Sequence, residues 1–189
     1  MSKVYQLSEK YFVPSDNSVL VEIGSDRYEG STAYFDSLAT QHNTRLISVD
    51  VDERIGLRLP DSVEFVVEPG SEWAKNFAKY NKTIACLYLD NFDWYWGAGT
   101  DLVQLQEQRL AYKNRGVELN NHNSQLEHLS QMISLLPFMS DRGLVVCDDT
   151  YTVNEAYTGK CGAVVPFLIV NGYSILEKTP HGIVLGKLN

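Results

Sequence analysis

The 189-residue sequence is poor in cysteine: Cys86, Cys147 and Cys161 are widely spaced and form no C-x-x-C pair. Such a pattern indicates neither a disulfide framework nor a zinc site, and it suits buried thiols in a reducing compartment. Positive charge is also scarce. Lys and Arg number 16 against 24 Asp and Glu, a formal net charge of −8, so a nucleic-acid backbone or an anionic membrane surface is not expected as partner. No apolar run approaches the roughly 18 residues of a membrane-crossing helix, and no basic-then-apolar leader opens the sequence. A cytoplasmic protein acting on a small molecule is the expectation. Internal repeats and low-complexity segments are missing too, and so is the three-glycine loop G-x-G-x-x-G of dinucleotide-binding folds. The length allows one domain, 1–189, with roughly 70% of the unfolded surface buried.

The stretch from Leu20 to Thr32 reads as strand, tight loop and helix. It is apolar and β-branched up to Ile23, has glycines at 24 and 30, and then offers Ser31 or Thr32 as a helix cap ahead of Tyr34, Phe35 and Leu38. In an open parallel sheet ligands sit at the C-terminal ends of strands, where the next helix aims its free N–H groups. Glu22, two residues before Gly24, would repel a pyrophosphate and suits a cationic ligand. The pattern E-x-G-x-x-x-x-x-G resembles the first motif of the class I S-adenosylmethionine-dependent methyltransferases. The resemblance implies that Gly24, Ser25, Gly30, Ser31 and Thr32 approach the methionine part of that cofactor, with Glu22 supporting its amino-acid end.

Further runs repeat the alternation of strand and helix. Thr44–Asp50 is a second strand whose terminal Asp50 suits ribose hydroxyls, with Asp52 in reserve; the alternative is that this acidic run only caps the next turn. Val63–Val67 is a third, and Pro69-Gly70-Ser71 then turns the chain into a helix over 71–77, where Ser71 is either an adenine contact or a cap. Ile84–Leu89 is a fourth, apolar throughout as in a strand buried on both faces, and Asp90-Asn91-Phe92-Asp93 follows it. Residues 95–123 form a lid-like insertion, and Trp94, Tyr95 and Trp96 at its start line a pocket or pack the inserted helix. An amphipathic helix from Ser124 to Pro137 precedes a fifth strand, Leu144–Cys147, tipped by Asp148 and Asp149. A helix over 160–170 and two strands, 173–178 and 183–187, complete a parallel sheet with a C-terminal antiparallel hairpin. Residues 1–17, with Tyr5, Tyr11 and Phe12, are expected to form a short helix or arm over the sheet edge.

Neighbouring parallel strands about 4.8 Å apart bring Asp90, Asp148 and Asp149 to one point. Their mutual repulsion is relieved by a hard divalent cation, Mg2+ foremost, which would also bind a hydroxyl-bearing substrate. The alternative has no metal, with Asp148 or Asp149 capping a helix and Asp90 touching the cofactor. The order of the motifs, from the E-x-G loop through L-x-L-D and G-L-V-V-x-D-D to the final hairpin, is similar to the metal-dependent small-molecule O-methyltransferases of the macrocin and sugar type. The resemblance implies a Rossmann-like methyltransferase fold with seven mostly parallel strands and helices on both faces, and a metal on Asp90, Asp148 and Asp149.

In that family D-G-x-H often follows strand four, with the histidine as general base. Here Asp93 stands at the histidine's place. Asp93 can act if burial raises its pKa or a metal acidifies the alcohol; His122 and His128 are the alternatives, because imidazole titrates near working pH. His181, in the final turn, is expected to be structural or solvent-facing. The expected reaction is transfer of the sulfonium methyl group to a small-molecule hydroxyl. A non-catalytic cofactor-binding module and a nicotinamide-dependent enzyme are the competing readings. Oligomeric state is left open, a homo-oligomer included.

Overall fold

The computed structural model describes residues 3–25, 29–95 and 102–187. Its apolar runs become the strands β1 (Ser18–Ile23), β2 (Leu46–Asp50), β3 (Val63–Val67), β4 (Thr83–Leu89) and β5 (Met139–Asp148), with the hairpins β6 (Thr150–Val153) and β7 (Ala156–Gly159), and β8 (Ser174–Thr179) and β9 (Gly182–Gly186). The helices are α1 (Ser31–Gln41), α2 (Glu53–Gly56), α3 (Gly70–Lys75), α4 (Leu102–Asn114), α5 (Asn121–Leu135) and α6 (Val164–Val170). Seven strands form one sheet in the order β3-β2-β1-β4-β5-β9-β8. The first five run parallel, and β9 is antiparallel to both β5 and β8.

Alternation along β1 shows why both faces are covered. Val19, Val21 and Ile23 join Trp73, Phe77, Met132 and Leu168 on one side of the sheet, and Leu20 joins Phe35, Leu38, Cys86 and Tyr88 on the other. All three cysteines are buried free thiols. With period-two alternation the tip residue Glu22 falls on the side of Leu20.

Three expectations shift. The N-terminal segment is a 3₁₀ helix, Val4–Tyr11, and it lies against β5 and β9 on a sheet face rather than over an edge, because Val4, Tyr5 and Phe12 are buried there. The helix expected over 71–77 stops at Lys75 and continues as a 3₁₀ turn, Phe77–Tyr80. The helix expected from 160 begins at Val164, since residues 160–163 form the turn that follows the hairpin β6–β7. Of the expected lid, residues 96–101 lie outside the described residues, and so do the side chains of Leu102, Val103 and Leu105.

Candidate functional site

Strand order reverses between β1 and β4, and there the chain makes a tight turn at the tip of β1. Gly24 has φ +94, and a Cβ on it would lie 2.4 Å from the Asn91 backbone nitrogen. Only glycine permits that conformation and that approach together. The Asp90 N–H donates to the Ile23 carbonyl at 2.9 Å and the Gly24 N–H to the Val49 carbonyl at 2.9 Å, so the tips of β4, β1 and β2 are tied to one another.

Glu22 is completely buried and accepts hydrogen bonds from Ser31, Thr32 and Ser48, each at 2.6 Å. Burial pushes its carboxyl up to about 7 although the three hydroxyls pull the other way. Its role here is to join the strand tip to the start of α1. Gly30, with φ +90, occupies the cap position of α1, and the Ser31 and Thr32 hydroxyls go to Glu22 instead of capping the helix. Asp50 accepts from the Ser25 N–H at 3.1 Å and the Asp52 N–H at 2.8 Å, while the Ser25 and Ser48 hydroxyls lie 2.7 Å apart. Asp52 caps α2 and pairs with Arg54 at 2.6 Å.

Beside these tips opens a cavity of about 340 Å³, walled by Asp50, the Glu68–Glu72 turn, Asn91–Asp93, Glu127 and, from the segment after α4 begins, Tyr112, Arg115 and Val117. Its size is that of a small-molecule site. Ser71 borders it, and the Ser71 N–H donates to Glu127 at 3.0 Å, so a side chain from α5 serves the start of α3. Glu127 and Asn91 both also accept from Gln131, at 2.9 and 3.1 Å.

Asp90, Asp148 and Asp149 meet at the tips of β4 and β5, as parallel neighbours do. Tyr88 donates to Asp148 at 2.6 Å and lies 3.1 Å from Asp90. Asp148 also accepts from the Asp149 N–H at 2.8 Å. Burial first, and then the charge of Asp90, push Asp148 up to about 7. The cation in this cluster is Lys160, whose Nζ lies 2.6 Å from Asp90 Oδ1 and 3.0 Å from Asp149 Oδ2 with only 7% of its side chain exposed. Burial alone would lower the lysine pKa; Asp90 and Asp149 outweigh it and hold the group protonated. Carboxyl oxygens of Glu29, Asp90 and Asp148 also lie within 4.8 Å of one another.

A divalent ion on Asp90, Asp148 and Asp149 does not fit these contacts, because two of the three carboxylates already face an ammonium and the third is held by Tyr88 and a backbone N–H. Lys160 was not expected from the residues. Its signal is faint: a lone lysine ahead of the apolar run Cys161–Val165. The Tyr88 hydroxyl is hidden likewise inside an apolar strand.

The three candidate bases are separated. Asp93 is half-buried on the cavity wall, its N–H donating to the Tyr112 hydroxyl at 2.8 Å. His122 is exposed in the first turn of α5. His128 is fully buried, and its Nδ1 lies 2.7 Å from the Ser124 carbonyl. Burial lowers its pKa to about 4, so it is neutral and weakly basic.

No family model matches the chain, and no curated protein matches it by sequence. Among solved structures it is similar to a candidate rRNA methylase from Clostridium thermocellum, at 14% identity and TM-score 0.56 over 100% of this chain and 99% of that one. It is similar to CalS11, a TDP-rhamnose 3′-O-methyltransferase of calicheamicin biosynthesis, at 14% identity and TM-score 0.57 over 96% and 76%. MycE, a mycinamycin-pathway methyltransferase solved with Mg, S-adenosylhomocysteine and mycinamycin VI, matches at 10% identity and TM-score 0.57, over 98% of this chain and 55% of that one. The chain has the Rossmann-like fold of these methyltransferases.

Proposed function

We propose that the protein binds S-adenosylmethionine across the β1–β4 crevice and transfers its methyl group to a hydroxyl of a small molecule. The observation that carries this reading is the Gly24 turn, packed against the Asp90–Asn91 backbone and flanked by acids and a 340 Å³ cavity. Asp50, at the tip of β2 on the cavity wall, suits ribose hydroxyls. The acids at the tips of β1, β4 and β5 set a negative field for a sulfonium and its ammonium group.

In the transfer the S–CH₃ bond breaks as the C–O bond forms in line, sulfur takes the bonding pair, and the hydroxyl proton leaves to a base. Asp93 is the candidate that borders the cavity. The wall holds donor and acceptor in line, an effect worth ~7–11 kcal/mol when geometry is good. MycE's magnesium and the approach of Glu29 to Asp90 and Asp148 favour a divalent ion, whereas Lys160 opposes one. A metal would acidify the acceptor hydroxyl; the residues present do not fit that role.

Calorimetry with S-adenosylhomocysteine tests the reading. Binding is expected, weakened roughly tenfold or more by Asp50→Ala, and no heat at millimolar ligand would refute it. Binding without methyl transfer to any hydroxylated acceptor, followed by mass spectrometry, would leave a non-catalytic cofactor-binding module. Preference for NAD would restore the nicotinamide-dependent alternative.

A further inference from the structure

We infer that the Lys160 ammonium takes the place of a divalent cation among Asp90, Asp148 and Asp149, so that this site assembles and holds its cofactor without metal. The part that concerns the cofactor rests on the methyltransferase reading; the part that concerns the cation stands on geometry alone. Nζ bridges the tips of β4 and β5 as an ion would, 2.6 Å from Asp90 Oδ1, 3.0 Å from Asp149 Oδ2 and 3.4 Å from the Asp90 carbonyl. Three oxygens thus meet the three donors of an ammonium.

The backbone is shaped to deliver it. Gly159 has φ +89, and a Cβ there would lie 1.8 Å from the Asp149 carbonyl. The Lys160 N–H then donates to that same carbonyl at 3.0 Å, and the Cys161 N–H to Thr150 Oγ1 at 3.1 Å. The hairpin β6–β7 therefore returns the chain to its starting point with the lysine stem buried and its head between two carboxylates. Lys160 acts through Asp90, whose following residue forms the close contact with Gly24. It is a positioning residue: it fixes the turn over which the cofactor would lie.

The test follows Mn2+ by the loss of its free-ion resonance signal, with no cofactor present. The wild-type chain is expected to take up no Mn2+ at millimolar concentration, and Lys160→Met, which frees Asp90 and Asp149, to take up one ion per chain. In calorimetry, wild-type affinity for S-adenosylhomocysteine should be equal in EDTA and in Mg2+. That of K160M should fall roughly tenfold in EDTA and recover with Mn2+, while K160R stays near wild type. A wild-type chain that captures one Mn2+ and loses it on Asp148→Asn overturns the inference, and so does folded K160M that gains no ion. If circular dichroism shows K160M unfolded, the wild-type Mn2+ titration decides alone. A wild type that binds no S-adenosylhomocysteine under any condition overturns the methyltransferase reading, and Mn2+ uptake still decides the cation.

Discussion

Glu22 keeps its fully buried carboxyl in a shell of three hydroxyls, and that isolation has a measurable sign. In the unfolded chain it loses its proton near 4.5, in the folded protein only near 7. Between those values the folded state holds the extra proton. Its stabilising contribution is therefore complete below pH 4.5 and lost as pH rises to about 7, a change of about 3 kcal/mol. Urea denaturation at pH 5 and pH 8 should show a decline in the wild type that Glu22→Gln lacks in this part; equal declines would contradict it. At this scale the positions of Glu22, Gly24, Asp50 and Asp90 were readable from sequence, because each follows from where an apolar run stops. Their partners were not. Tyr88 reads as one more apolar strand residue until its pairing with Val146 puts its hydroxyl between Asp90 and Asp148. Lys160 gains meaning only from the turn that returns it to Asp149.

That turn belongs to the hairpin β6–β7, the element the residue pattern concealed. Its strands are four residues each and half-exposed, so no apolar run announces them, and its corner residues are Asn154 and Glu155 rather than the usual Asn-Gly. Both have positive φ, 47° and 67°. A left-handed glutamate costs about 1–2 kcal/mol, against a glycine entropy cost of about 0.5–1 kcal/mol. Glu155→Gly is expected to stabilise the protein by about 0.5–1 kcal/mol, seen as a higher Tm; a lower Tm would show that Glu155 makes a compensating contact. The central strands β1, β2, β4 and β5 were readable because their runs are apolar and buried, whereas α6 begins later than its hydrophobicity suggests because residues 160–163 form the turn that leaves the hairpin.

Across the whole molecule, the two cores on opposite sides of the sheet depend on different parts of the chain. One side is closed by α3, α5 and α6, the other by α1 and the N-terminal 3₁₀ helix. Removing residues 1–12 would take the buried Val4, Tyr5 and Phe12 out of that core and uncover the sheet residues beneath them. Three such side chains contribute roughly 5 kcal/mol, a large share of a small protein's margin. The truncated chain should melt far lower or aggregate, and an unchanged Tm would overturn that estimate. The same segment touches the site from behind. Tyr5 donates to the Glu29 carbonyl at 3.0 Å, and its ring lies 6.0 Å from that of Tyr88. Whatever quiets the glycine loop must therefore quiet the arm: amide protons of residues 4–12 should trade for deuterium more slowly once the crevice is filled, on the far side of a sheet the ligand never crosses.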